Sequence, residues 1–260
     1  MKRRIIVIFS VLSIIALLIV LNCTVFTVKN VDFVFKNQNN QTIDAPTGLD
    51  KQAMLECLYA FKGKNILFMK KSDVRNVVES KFCKIKVIDV VKQFPDSMTM
   101  YFIQRQNAFY YIDDNNVYYV CDNEMRIIEV TNAATSGIRL LGIKNEELGE
   151  LKLGGFFNFK KDSQWKNDIY LTISKVFWQL GYDYGQQGNL FSLINIEKSV
   201  QGDNYTLTLE TTVNGEFVLA NPTVNLTKRL VAAYGVFCDD KAAKDATYYI
   251  NENGQVTILP

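Results

Sequence analysis

Gly63-Lys64-Asn65-Ile66-Leu67 opens the stretch that decides the fold. It continues through Lys84-Ile85-Lys86-Val87 and Phe94-Pro95 and ends in the segment 98–105. Between the first two pieces, Asp73, Val74, Val77, Val78 and Phe82 are spaced three and four apart, the pattern of a helix with one buried face. Ser72 is the expected N-cap, because its hydroxyl can accept from an otherwise unpaired amide of the first turn. Ile85, Val87, Ile88, Val90 and Val91 then form a β-branched run. Pro95 ends it, having no amide donor and a fixed φ. Met98, Met100, Phe102 and Gln104 alternate with Thr99, Tyr101, Ile103 and Arg105, the period-two pattern of a second strand. A helix followed by a β-hairpin is expected.

Upstream, Val28, Val31, Phe33 and Phe35 mark residues 27–36 as a first strand. Residues 37–47 are polar and read as a loop. Residues 49–61 read as a helix with Met54, Leu55, Leu58 and Phe61 on one face and Asp50 near its start. Gly63 follows it, suited to the left-handed conformation after a helix. The order of elements is β-α-α-β-β.

Further upstream, residues 5–21 are apolar apart from Ser10 and Ser13, and Asn22-Cys23-Thr24-Val25-Phe26 extends the run. About 20 such residues rise about 30 Å as a helix, enough to cross a hydrocarbon core. Lys2, Arg3 and Arg4 precede it. The positive-inside rule then leaves residues 1–4 cytoplasmic and everything after Phe26 outside. The expected topology is single-pass, with a membrane helix over 5–26 and an external C-terminus. A cleaved signal peptide and a lipidated Cys23 are the competing readings. No small-x-small cleavage site follows the apolar core, and Asn22 stands where a lipoprotein box wants a small residue.

Downstream, short strands are expected at 108–112, 116–120 and 126–130, separated by the turn formers Asp113-Asp114-Asn115 and Asp122-Asn123-Glu124. Arg139-Leu140-Leu141-Gly142 reads as another strand, and 167–181 as a helix. Strands follow at 190–197, 205–212 and 216–219, with Asn214-Gly215 turning the last pair. Residues 225–237 read as a helix burying Leu226, Leu230, Ala233, Tyr234 and Phe237. Two strands around residues 251–254 close the chain.

Together, the element order, "GKNI", "FP" and a strand ending in Gln104-Arg105 resemble the POTRA domain of the FtsQ/DivIB cell-division family. That family usually has Glu-Arg at this last position. The second half resembles the family's β domain through Asn214-Gly215-Glu216-Phe217, Lys228-Arg229-Leu230, Tyr249-Ile250 and Gly254 to Ile258. The resemblance implies an α+β chain with a single N-terminal transmembrane helix, a POTRA-like domain over 27–105 and a mostly antiparallel β domain with flanking helices over 106–260. It also implies a non-enzymatic scaffold at the division septum whose partners are bitopic proteins of the FtsL and DivIC/FtsB types. By the same resemblance the partner-binding residues are Tyr249, Asn251, Val256, Ile258, Lys228 and Arg229, with the hairpin strand 84–91 as a second edge. Core packing is the competing reading for Tyr249, Val256 and Ile258, and a solvated helix face for Lys228 and Arg229.

Composition agrees with a binding role. The 260 residues include 29 basic and 27 acidic side chains and no histidine. Lack of histidine removes Ser-His and Cys-His nucleophile pairs, imidazole metal ligands and the commonest general base. Asp113-Asp114, Glu146-Glu147 and Asp239-Asp240 read as solvated loop charge. Gly154-Gly155 lacks the rest of a phosphate loop. No catalytic, cofactor or metal residue is assigned. Beyond the basic tail the charges nearly cancel, which gives no support for a nucleic-acid partner. The five cysteines, Cys23, Cys57, Cys83, Cys121 and Cys238, are isolated and odd in number, so most are expected as free thiols; a Cys57–Cys83 bridge is the alternative. Two other functions compete. A POTRA-bearing translocation or assembly component would need repeated POTRA copies or a lipid-facing barrel, and residues 106–260 lack the regular alternating segments of a barrel. An anchored cell-wall hydrolase would need a placed carboxylate pair.

Overall fold

A computed structural model of the chain describes residues 11–17, 20, 24–199 and 204–259. The tail 1–4 and half of the apolar segment 5–26, Cys23 included, lie outside the described residues. Residues 11–17 are helical, with Val11, Leu12, Ile14, Ile15 and Leu17 exposed. Among the described residues no helix is long and apolar enough to cross a membrane. The chain is α+β and divides into two compact units, Met1–Arg105 and Gln106–Pro260.

In the first unit the elements run β1 (Asn30–Lys36), β2 (Thr42–Ile43), α1 (Lys51–Tyr59), α2 (Lys71–Lys81), β3 (Ile85–Gln93) and β4 (Ser97–Gln104). The strands form a sheet in the order β2-β1-β4-β3, with β1 parallel and β3 antiparallel to β4. Residues 37–47 are more ordered than the loop expected there. The Asn37 side chain accepts the Gln41 amide and Asn40 takes a left-handed φ of 63°, so the chain turns back and pairs Ile43 with Phe35. Asp50 caps α1 by accepting from the amides of Gln52 and Ala53. Met54, Cys57 and Leu58 are buried, while Leu55 is only half-buried. Gly63 has the left-handed φ expected of it, at 81°.

Helix α2 departs from the sequence reading at both its cap and its face. Lys70 holds the N-cap position without a side-chain bond, and Ser72 lies inside the first turn with its hydroxyl on Asp73. Val74 and Val78 are buried and Val77 is exposed; the third buried position is Glu79. Glu79 is tolerated there because Arg105 Nη2 donates to its Oε2 at 2.7 Å and Val87 donates its amide to Oε1 at 2.9 Å. The Arg105 Nε also donates to the Ile85 carbonyl at 3.4 Å. A buried carboxylate needs this much compensation. The pair ties α2 to both strands of the hairpin beneath it, over a core of Val31, Phe35, Ile85, Val90, Met100 and Phe102.

In the second unit the order is β5 (Phe109–Ile112), β6 (Tyr118–Cys121), β7 (Ile127–Thr131), β8 (Ile138–Leu141), α3 (Gln164–Gln179), β9 (Phe191–Lys198), β10 (Tyr205–Thr211), β11 (Glu216–Ala220), α4 (Leu226–Phe237), β12 (Thr247–Ile250) and β13 (Val256–Leu259). Among the described residues the sheet runs β13-β12-β11-β10-β9-β8-β5-β6-β7. It is parallel where β8 meets β5 and β9 and where β12 meets β11, and antiparallel elsewhere. Parallel neighbours need a long crossover. The chain supplies α3 between β8 and β9, and α4 between β11 and β12. Phe177 of α3 and Tyr234 of α4 meet at 5.7 Å between ring centroids, and both helices contribute to one core with Phe191, Leu207, Phe217 and Tyr248. The turns at 113 and 122 form as read: Asp113 accepts from Asn115 and Val117, and Asp122 from Glu124 and Arg126. Cys57, Cys83, Cys121 and Cys238 are free thiols, so the alternative Cys57–Cys83 bridge is absent.

Replacing Glu79 with alanine leaves a buried guanidinium without its carboxylate. The first unit should lose about 3–5 kcal/mol, and the double change Glu79→Leu with Arg105→Met should recover much of it. Both tryptophans, Trp165 and Trp178, lie in the second unit. Circular dichroism should therefore show an earlier melting step while the tryptophan-reported transition stays in place; a loss under 1 kcal/mol would count against the role given to the pair.

Candidate docking edge

Helix α4 starts from a loop in which Asn221 and Asn225 both adopt left-handed φ values, 48° and 50°. Arg229, one turn in, is completely buried. Its Nη1 donates to the carbonyls of Asn221 at 3.0 Å and Val224 at 3.3 Å, and its Nη2 to that of Ile250 at 2.6 Å. Burial draws its pKa below the usual arginine value, and the carboxylate of Glu252 partly restores it; an arginine stays charged under such a shift. Arg229 is therefore no surface docking residue, contrary to the expectation from sequence. It clamps the loop before α4 to the end of β12. The signal was present in the spacing, since Arg229 lies three residues from Leu226 and four from Ala233, on the buried face. Adjacent Lys228 is exposed and passes the β12–β13 turn, its Cε 3.9 Å from where a Cβ on Gly254 would stand.

That turn is held by Asn251. Its Oδ1 accepts from the amides of Asn253 and Gln255, both at 3.0 Å, and its Nδ2 donates to the Gln255 side chain at 2.8 Å. Gly254 takes a φ of 85° that favours glycine. The Asn221 side chain donates to Glu252, and Asn225 Nδ2 donates to the Glu252 carbonyl at 3.5 Å, so the turn is pinned to the start of α4. Asn251 shapes the edge; its side chain is not free for a partner.

Beyond the turn the pleat sorts the remaining sequence candidates. Tyr248 and Ile250 point into the core, and Tyr249 between them is exposed beside Val218 and Thr257. Val256 is half-buried against the core and Ile258, opposite Tyr248, is exposed. The Asn251 amide donates to the Gln255 carbonyl at 3.1 Å, which marks that pair as the hydrogen-bonded kind. Alternation then makes Tyr249/Thr257 and Thr247/Leu259 hydrogen-bonded pairs too. The backbone amides and carbonyls of Val256 and Ile258 accordingly point away from β12, along the outer edge of the sheet.

The other sheet edges are blunted. β2 has only two residues. β3 carries a bulge at Ile88 and the lysines Lys86 and Lys92, and Glu79 already occupies the outward amide of Val87. The expected second docking edge is thus poorly suited to accept a strand. β7 is bulged at Ile128, carries Glu129, and has its start bonded to Gly154 and Gly155. β13, by contrast, reads Val-Thr-Ile-Leu without charge, proline or bulge.

Among the described residues two clefts stand out. A cleft of about 290 Å³ holds Lys166 and Glu147, but Lys166 Nζ is spent on Glu147 at 2.7 Å and the Gly142 carbonyl at 2.7 Å. Another of about 240 Å³ is lined by Trp165, Tyr205, Asn221 and Pro222. Among the described residues no His, Cys, Asp or Glu cluster could hold a metal ion. No protein-family model matches the sequence, and neither does any curated protein.

Replacing Arg229 with methionine should destabilise the second unit by about 3 kcal/mol, since one buried and two part-buried carbonyls lose a charged donor. Lys228→Glu should cost less than about 0.5 kcal/mol. Urea unfolding followed by tryptophan fluorescence separates the two, and equal effects would remove the distinction drawn between these neighbours.

Proposed function

We propose that the protein is a non-enzymatic, bitopic membrane scaffold of the bacterial division machinery, of the FtsQ/DivIB kind. In this reading residues 1–4 are cytoplasmic, 5–26 cross the cell membrane once, and a POTRA-like domain over 27–105 and an FtsQ/DivIB-type β domain over 106–260 lie outside at the septum. Its partners are FtsL-like and DivIC/FtsB-like bitopic proteins. The observation that carries the reading is the open edge of β13, where Val256 and Ile258 direct backbone donors and acceptors outward from an uncharged strand. A partner segment that adds as a further strand gains main-chain hydrogen bonds there. Tyr249 and Lys228 flank the edge and supply side-chain selectivity. The strand order of the first unit and the turn at Gly63 support the POTRA-like assignment.

Proline separates docking from folding at this edge. At position 258 it removes an outward amide and obstructs an incoming strand without touching the β12–β13 ladder. At position 257 it removes a ladder bond. Ile258→Pro should weaken binding to the external domains of the same organism's FtsL- and DivIC-like proteins by at least tenfold while melting unchanged. Thr257→Pro should lower both. Undiminished binding by Ile258→Pro in a titration would move the docking site away from β13, and no binding by the unaltered protein would sink the division role.

A further inference from the structure

The first unit carries a second surface, at the end where the chain leaves the apolar segment. Residues 24–26 finish that segment in a turn, and the Phe26 carbonyl accepts the amide of Ile66 at 2.8 Å. Thr27 bridges to Asn65, and the Val28 amide donates to the Lys64 carbonyl at 3.0 Å. The Phe26 ring meets Phe94, at the tip of the β3–β4 turn, edge-on at 6.4 Å. Lys92 closes the group by donating from Nζ to the Leu67 carbonyl at 3.4 Å. Two loops from opposite sides of the unit, 64–68 and 92–96, are thereby gathered around the point of departure.

What these loops expose is unusual for a soluble face. Phe68 is 75% exposed, the highest value for a large apolar side chain among the described residues, with Phe94 at 59% and Leu67 at 41%. Lys64 and Lys70, both exposed, and the half-buried Lys92 flank them in the chain, and the one carboxylate of these loops, Asp96, is paired with Lys29 at 3.3 Å. Neither helix nor sheet requires Phe68 or Phe94 to be apolar, for both lie outside the core. Bulky apolar side chains flanked by lysines are the composition of a surface that rests in the headgroup region of a bilayer.

We propose that this end of the first unit docks on anionic lipid, with Leu67, Phe68 and Phe94 entering the interface and Lys64, Lys70 and Lys92 meeting the headgroups. The inference rests on the single-pass reading of residues 5–26, which puts the bilayer at Phe26 and these side chains within a few residues of it. Charge complementarity and covalent continuity with the membrane segment select lipid over a protein partner as the occupant. The unit is then held against the membrane instead of swinging from it.

The test uses the full chain reconstituted in vesicles of phosphatidylglycerol and phosphatidylcholine, with dibrominated lipid as the quencher. Phe68→Trp and Phe94→Trp each add a reporter, read as the difference from the unaltered protein. Val77→Trp, exposed about 9 Å further along α2, is the control. The expected result is quenching of the added signal at 68 and 94 by at least half, with little at 77. Triple replacement of Lys64, Lys70 and Lys92 by glutamine should shift the docked equilibrium by roughly fivefold per lysine. Unquenched tryptophan at 68 and 94 in protein that floats with the vesicles overturns the docking and leaves the membrane span standing. Equal quenching at 77, or equal quenching in pure phosphatidylcholine, overturns the assignment to an anionic lipid surface. Protein that does not float with the vesicles removes the span and the docking together.

Discussion

Arg229 places a full positive charge inside the second unit, and the arrangement of α4 and β12 answers to what that charge requires. A buried guanidinium is tolerated when most of its donors are occupied, as Nη1 and Nη2 are here while Nε has no acceptor. Here the acceptors are backbone carbonyls of Asn221 and Val224, in the loop before α4, and of Ile250 at the end of β12, two stretches far apart in the chain. They come together only if α4 lies across the sheet and β12 enters beside β11. Because β12 is parallel to β11, no tight turn joins the two, and the arginine does what a hairpin turn does elsewhere. The Asn251 turn and β13 then extend from a strand that is already fixed.

The same economy appears in the first unit, where Glu79 and Arg105 do two things at once. They hold α2 on the hairpin, and the carboxylate occupies an outward amide of the edge strand β3. A strand edge that has lost a donor to its own protein is a poor template for another chain. Bulges at Ile88 and Ile128, together with Lys86 and Glu129, act in the same direction at β3 and β7. Against that background the uncharged, regular β13 stands apart. Among the described residues the longer edge strands, β3 and β7, each carry an obstruction that β13 lacks.

Local patterns in the sequence were enough for the α+β class, the principal helices and strands, and the turns at Asp113 and Asp122, since periodicity and turn chemistry act over a few residues. The misread positions share a cause. Arg229 looks like solvated charge until a partner 21 residues away is known. Val77 and Leu55 seemed interior because β-branched and aliphatic residues usually are, yet helix geometry gave their places to Glu79 and Cys57. Ser72 was displaced as a cap because α2 starts earlier. Val256, Ile258 and Tyr249 were named through the family resemblance, and the structure leaves Tyr249 and Ile258 exposed and Val256 half-buried. Asn251, named with them, has its side chain in the turn that aims the strand.

The parallel pairing of β1 with β4 has a mechanical meaning. The chain enters the first unit at the beginning of β1 and leaves it at the end of β4, and these strands are direct neighbours through six register pairs from Asn30↔Ser97 to Phe35↔Phe102. Tension between the apolar segment and the second unit would slide one strand along the other, loading the intervening hydrogen bonds together. A hairpin pulled open at its ends yields one bond after another. Shear demands that many fail at once, and forced unfolding is governed by the height of that barrier. In this topology tension between the two ends of the unit loads the β1–β4 pairing in shear instead of peeling it open.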